Sequence, residues 1–396
     1  MKKFLLMGII APFLVGCNSS EPTNFAIDPP KVSDQYYIGL EEAMENADSL
    51  FSKFYGHRTR TEHKVTDVEF LGNNTRTGQE DLNGFYIVNY ENESGFAILS
   101  ADRRREAVFA LSDTGSLHLA DTLKNTGLSW YLNQYAMQLE AIGNISIPVQ
   151  PIDTITPPPT PGIEMIETLC QPLLKDFFDK FHQSYPYNKY CFTLDGKQAV
   201  TGCVPLAIGT VMQYYKWPNA AYGHMFNWSS MYQNKDHDSW SRLFEILGRP
   251  ENTDAYYGER STGASPNNIV RTFTNMGYKN AIITVFNESI IVNQLKTKNP
   301  VLCGGQNNNG GSHRWVIDGC QVMTGTRNSL EQATPITYKK YYFNCVWGWN
   351  GRNNGLFYYR ENSLGGTPNV PNPDLTNSTP VYNVTTIVYG YKPNNL

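Results

Sequence analysis

Apolar positions recur at helical spacing in several stretches of the chain. Ile38, Ala43, Ala47, Leu50, Phe51 and Phe54 fall on one face, and Ser33 stands ahead of them as an N-cap, predicting a helix to about Tyr55. A second helix is predicted over residues 128–141. A third begins after Cys203, where Val204, Ile208, Val211, Met212 and Tyr215 repeat at helical intervals. Pro205 suits its first turn, where a missing N–H costs nothing, and Trp217-Pro218 marks its end. Short alternating or apolar runs predict strands: "VTDVEFL", "GFYIVNY", "GFAILSAD" and "AVFALSD" in the first part of the chain. In the last part the runs are "AIITVFN", "PVLCGG", "HRWVIDG", "YYFNCVWGW", "GLFYYR" and "VYNVTTIVYGY".

The prolines of "ISIPVQPIDTITPPPTPG" exclude helix and central strand and predict an extended connector open to proteolysis. The expected organisation is therefore an α+β unit over residues 18–144, a linker over 145–162, and a larger unit over 163–396 with a helical part followed by an antiparallel β part. Such a division fits 396 residues, too many for one typical domain.

The opening "MKKFLLMGIIAPFLVGCNSS" has two lysines, a short apolar run and then Leu14-Val15-Gly16-Cys17, the layout of an export signal rather than a membrane span. Leu14 to Cys17 further resembles a bacterial lipobox, which implies a signal peptide over residues 1–17 and lipidation at Cys17. The expectation is an exported protein, lipid-anchored to a bacterial membrane or cell surface or released after processing, touching the membrane by that anchor only. Export permits disulfides, yet Cys170, Cys191, Cys203, Cys303, Cys320 and Cys345 show no C-x-x-C spacing, which argues against a zinc ribbon or finger. Their pairing stays open. A net charge of −4 with scattered lysines and arginines argues against a nucleic-acid partner.

Cys203 follows Gly202 and starts the third helix, where unpaired N–H groups and the macrodipole favour an anion and lower a thiol's pKa. That position suits a nucleophile, although a solitary cysteine also serves as a small buried hydrophobe. A thiolate nucleophile needs an imidazole. His313 stands out in "NNNGGSHRWVIDGC", where glycines allow close approach of a substrate backbone and the histidine opens a strand facing a cleft. The third element, "YYFNCVWGWNGRNNGLFYY", carries Trp347 and Trp349 around Gly348.

In this order, the Gly-Cys helix, the Gly-rich His strand and the Trp-Gly-Trp strand resemble a papain-like cysteine peptidase, and more closely the streptopain family. "QSYPYN" and "TTIVYGYKP" match further segments, and "GFAILSADRRREAVFALSDTGSL" resembles the family's inhibitory propeptide. The resemblance implies a papain-like fold behind a small α+β propeptide, and a cysteine endopeptidase made as a zymogen. Its partners would be protein or peptide substrates and its own propeptide as intramolecular inhibitor; no metal or organic cofactor is called for. It further implies Cys203 as nucleophile, His313 as its partner, and Gln183 as oxyanion donor with Gln198 as rival. Trp347 would shield His313, and Gly311 and Ser312 would border the substrate channel. The family's asparagine before the first tryptophan is replaced by Val346. Asn344, two residues earlier, emerges on the same strand face but some 6–7 Å away, roughly two strand residues, so it is expected to support His313 only modestly. Two other readings stay open: a catalytically dead peptidase fold that binds protein or glycan, and a papain-like cell-wall amidase, whose usual Asp-Cys-Ser motif "TGCVPL" does not match.

Overall fold

The computed structural model describes residues 37–55, 64–74, 80–102, 106–123, 127–128, 131–132, 165–174, 180–233, 236–306, 312–327, 336–359 and 386–394. The lipobox, the proline-rich connector, Gly311 and most of the helix expected over 128–141 lie outside these residues.

The N-terminal unit consists of helix α1 (Leu40–Tyr55) and strands β1 (Val65–Asn74), β2 (Glu80–Tyr90), β3 (Phe96–Ser100) and β4 (Val108–Ser112) in an antiparallel meander. Helix α1 starts later than its periodicity suggests. Tyr37 bridges Asp102 and the Ile38 N–H donates to the Ala101 carbonyl, so these residues are extended and the helix starts only at Leu40; the expected cap Ser33 lies outside the described residues. Ala43, Ala47, Leu50, Phe51 and Phe54 nevertheless face inward, against Tyr86, Val88, Leu99 and Leu111.

The second unit begins with β5 (Met165–Cys170). Helix α2 (Cys203–Tyr215), the small ribbon of β6 (Ala220–Ala221) and β7 (His224–Met225), and helices α3 (Trp228–Gln233), α4 (His237–Gly248) and α5 (Asn268–Asn275) follow. Next come β8 (Tyr278–Lys279), β9 (Ile282–Val285), α6 (Glu288–Lys296), β10 (Val301–Gln306), the long β11 (Ser312–Arg327), β12 (Ile336–Val346), β13 (Gly355–Tyr359), β14 (Thr386–Tyr389) and β15 (Lys392–Pro393). Helix α2 is buried on almost every side from Val204 to Gln213, the pattern of a central helix rather than a surface one. At Gly209 it passes so close to Phe244 of α4 that a Cβ would lie 2.5 Å from the ring.

The expected β part is one antiparallel sheet in the order β1-β2-β3-β4-β13-β12-β11-β10-β14-β9, with β5 also paired to β11. It does not stop at the unit boundary: Leu111 and Ala110 of β4 pair with Leu356 and Phe357 of β13. Strand β11 separates two cores. Trp315 and Ile317 join one with Trp347, Phe357, Leu128 and Tyr131, whereas Val316 joins the other with Val204, Leu206 and Val346. This parity decides where each site residue points.

Candidate active site

Gly202 holds a φ of 88°, and a Cβ there would lie 2.8 Å from Thr262 Cγ2, so glycine is required immediately before the nucleophile candidate. The turn is fixed by Thr262, whose hydroxyl donates to the Val200 carbonyl (2.7 Å), and by the Thr201 N–H, which donates to the Gln183 carbonyl (3.0 Å). Cys203 thus opens α2 with the Gln183 segment beside it. Gln183 is buried. The rival Gln198 has its amide nitrogen engaged elsewhere, donating to the carbonyls of Asn188 (2.6 Å) and Cys191 (2.8 Å).

The Cys203 thiol is partly buried, in a small cavity that Phe181, Arg314, Val346 and Trp347 help to line. Burial pushes the thiol above its ordinary value. The Arg314 N–H and guanidinium charge and the N–H groups of Cys203 and Val204 oppose that rise. The expected lowering by the helix terminus is therefore present but outweighed, because the thiol is desolvated and no imidazolium is among the groups acting on it.

His313 lies on the opposite face of β11. Instead of facing a cleft, it is only 4% exposed, among the rings of Trp315, Trp347 and Trp349 at centroid distances of 6.1–6.4 Å. Its Nε2 carries a proton and donates to the Trp347 carbonyl at 2.8 Å. Burial pushes its pKa down to about 4, with the Arg314 charge helping and the Trp347 carbonyl opposing. The N-terminal unit covers this face. Gly127 is so close that a Cβ would meet His313 Cδ2 at 2.4 Å and Trp347 Cε3 at 2.8 Å, and the Tyr131 hydroxyl contacts the carbonyls of Phe109 and Tyr358 (2.9 and 2.8 Å). By strand parity His313 and Arg314 point to opposite faces of β11, and Cys203 packs against the core on the Arg314 and Val316 side.

Trp347 packs against His313 in the uncut chain, and Ser312 is exposed at the start of β11, paired with Gln306. The expectation for Asn344 needs correction. It pairs with Gly319, beyond a bulge in β11, and its amide donates to buried Asp318 Oδ1 at 2.7 Å; Asp318 Oδ2 accepts from the Leu174 N–H, also at 2.7 Å. Asn344 thus braces the sheet rather than the imidazole. Val346 pairs with Val316 and faces Cys203. Sequence reasoning missed Arg314. The only cue was its place directly after His313, which puts any side chain there on the face opposite the imidazole.

Residues 181–245 and 225–359 match the model of the Peptidase C10 family, and residues 35–139 match that of the Spi protease inhibitor. The chain belongs to the streptopain-like cysteine peptidases, with an N-terminal inhibitor-type propeptide unit. A thiol protease/hemagglutinin, PrtT, of Porphyromonas gingivalis is 25% identical over 313 residues; the match covers 69% of this chain but 33% of that one, so this chain spans about a third of that relative's length. A streptopain of Streptococcus pyogenes is 24% identical over 391 residues, covering 84% of this chain and 88% of that one. A fragment of Prevotella intermedia prointerpain A is similar at 20% identity and a TM-score of 0.49, over 82% of this chain and 98% of that one.

Proposed function

We propose that this chain is a latent cysteine endopeptidase, exported and lipid-anchored through Cys17, which becomes active when its N-terminal unit is cut away within or just after residues 145–162. The observation that carries this reading is the cover over His313: Gly127 against the ring, with Leu128 and Tyr131 in the same core. An imidazole bonded to the Trp347 carbonyl on the far face of β11 cannot take or give protons at Cys203. Removing the cover frees the start of β11, between exposed Ser312 and Arg314, to bring the imidazole to the Cys203 face.

The chemistry then follows from the groups available. Cys203 Sγ attacks the peptide carbonyl, and His313 as imidazolium gives its proton to the leaving amine. His313 next takes a proton from water, which attacks the thioester and releases the acid. The developing oxyanion is held by the Cys203 N–H, at the helix start, and by the Gln183 side chain, whose segment is tied to Thr201. Trp347 keeps water from the imidazole, and Gly311 and Ser312 border the channel for substrate backbone.

The test compares the uncut chain with one starting at Ile163 on denatured protein substrates. Turnover should rise at least tenfold on removal of residues before Ile163, equivalent to about 1.4 kcal/mol of barrier. Equal turnover would overturn the zymogen reading. Mass spectrometry of the native N-terminus checks the anchor, and an unlipidated terminus other than Cys17 rules it out.

A further inference from the structure

With His313 on the far face, the cation beside Cys203 is the residue that follows it. Arg314 is 4% exposed, and its guanidinium donates from Nη1 to the Thr386 carbonyl (3.1 Å) and from Nη2 to the Thr386 hydroxyl (3.0 Å). Both acceptors are neutral, and among the described residues no ion pair includes Arg314. Its cross-strand partner is Gly304, where a Cβ would lie 2.4 Å from Arg314 Cζ, so β10 keeps a glycine to admit the guanidinium. Burying an unpaired cation is costly unless a partner charge forms nearby. The groups that act on its charge are the thiols of Cys203 and Cys303. Cys303 is fully buried on β10. Cys203 shares a cavity with Arg314 and has the N–H groups of Arg314, Val204 and its own residue acting on its sulfur.

We propose that Arg314 is the positioning residue that compensates the negative charge of Cys203 whenever its thiol ionises in the uncut chain, so that the anion of the latent nucleophile meets a permanent guanidinium rather than the His313 imidazole. This rests on reading Cys203 as the nucleophile. Its consequence is specific: the uncut enzyme is unable to turn over peptides but reacts at Cys203 with small electrophiles, in a step that needs no proton transfer from His313. With iodoacetamide the thiol first loses its proton to solvent. The sulfur then attacks the methylene carbon, the C–S bond forms, and iodide leaves with the electron pair of the C–I bond.

The groups that face Cys203 define the pH dependence. From α2 these are backbone N–H groups. From β11 there is Arg314, with Cys303 of β10 behind it, and β14 contributes the neutral Thr386. The experiment follows alkylation of Cys203 by iodoacetamide in the uncut chain against pH, read by mass on the Cys203 peptide so that the buried thiols do not contribute. Wild type should show one inflection. Arg314→Gln should raise it by about one unit or more, slowing alkylation near neutral pH about tenfold, while Arg314→Lys, which keeps the charge, should stay near wild type. An unmoved inflection in folded Arg314→Gln overturns the proposal, as does an inflection that tracks His313→Ala instead. Should Arg314→Gln fail to fold, wild type still decides: a guanidinium at the thiolate raises the rate ratio of anionic iodoacetate to neutral iodoacetamide above that of free cysteine, and a ratio no higher overturns it. Failure of the nucleophile reading shows itself separately, as turnover retained by Cys203→Ala after cleavage.

Discussion

Gly127 lies flat against the imidazole of His313, with no room for even one more carbon: a Cβ at residue 127 would sit 2.4 Å from Cδ2 and 2.8 Å from the Trp347 ring. A residue of the N-terminal unit thereby sets the position of the residue that the proposed chemistry most needs to move. Gly127→Ala should push the cover off the ring. Overpacking of this kind costs roughly 1–3 kcal/mol, so the uncut variant should melt earlier than wild type and show higher turnover before any cleavage. An uncut variant that melts earlier yet stays as silent as wild type would mean that the cover does not impose latency.

Acid should weaken the same contact. His313 is held down to about 4 by burial, below its ordinary value near 6.5, so the unfolded or uncovered state binds its proton first. Stability from the buried neutral ring is complete above about pH 6.5 and is lost as pH falls towards 4, an effect on the order of 3 kcal/mol at the low end. Thermal melts of the uncut chain between pH 7 and pH 4.5 should fall steeply in wild type and less steeply in His313→Ala.

In the cleaved enzyme, Cys203→Ala and His313→Ala should each abolish peptide hydrolysis with folding preserved. The double variant should be no worse than either single one, because groups that act as a unit lose their effect together. Active-site titration alongside kcat separates this result from a loss of folded protein.

Asn344→Ala should act on stability rather than on chemistry. It removes the amide that donates to buried Asp318 and leaves that carboxylate short of a donor, at a cost of about 1–3 kcal/mol. Turnover per folded molecule should drop by less than about tenfold, whereas Trp347→Ala, which strips the His313 ring of its neighbour and opens the core, should do greater harm. Near-total loss of turnover in folded Asn344→Ala would require Asn344 to reach His313 after activation.

Helix α2 and most of the strands were legible in the sequence, because a buried helix and a sheet each impose a short-range period on their apolar residues. The helix start at Cys203 was legible for the same local reason, whereas the positive φ at residue 202 emerged only with the structure. Which face of β11 receives His313 was not. Alternation says that His313 and Trp315 share a face and that Arg314 and Val316 share the other, but which face meets the core of Leu128 and Tyr131 depends on residues distant in sequence. The bulge between Ile317 and Gly319 likewise redirects Asn344 to Asp318, and a bulge leaves no period to read. The start of α1 was misjudged because Tyr37 and Ile38 are apolar enough to continue a helix but are claimed by Ala101 and Asp102 instead.

The shared sheet makes cleavage more than the removal of a plug. Strand β4 is the neighbour of β13 through Leu111 and Ala110, opposite Leu356 and Phe357. If the N-terminal unit departs as proposed, β13 becomes an outer strand whose backbone N–H and C=O groups turn from a partner to water, beside side chains that are mostly buried in the uncut chain. On the proposed activation, the liberated peptidase would carry a raw border that its precursor does not display, and any extended chain that met it, its own discarded fragment included, would find a ready template for pairing.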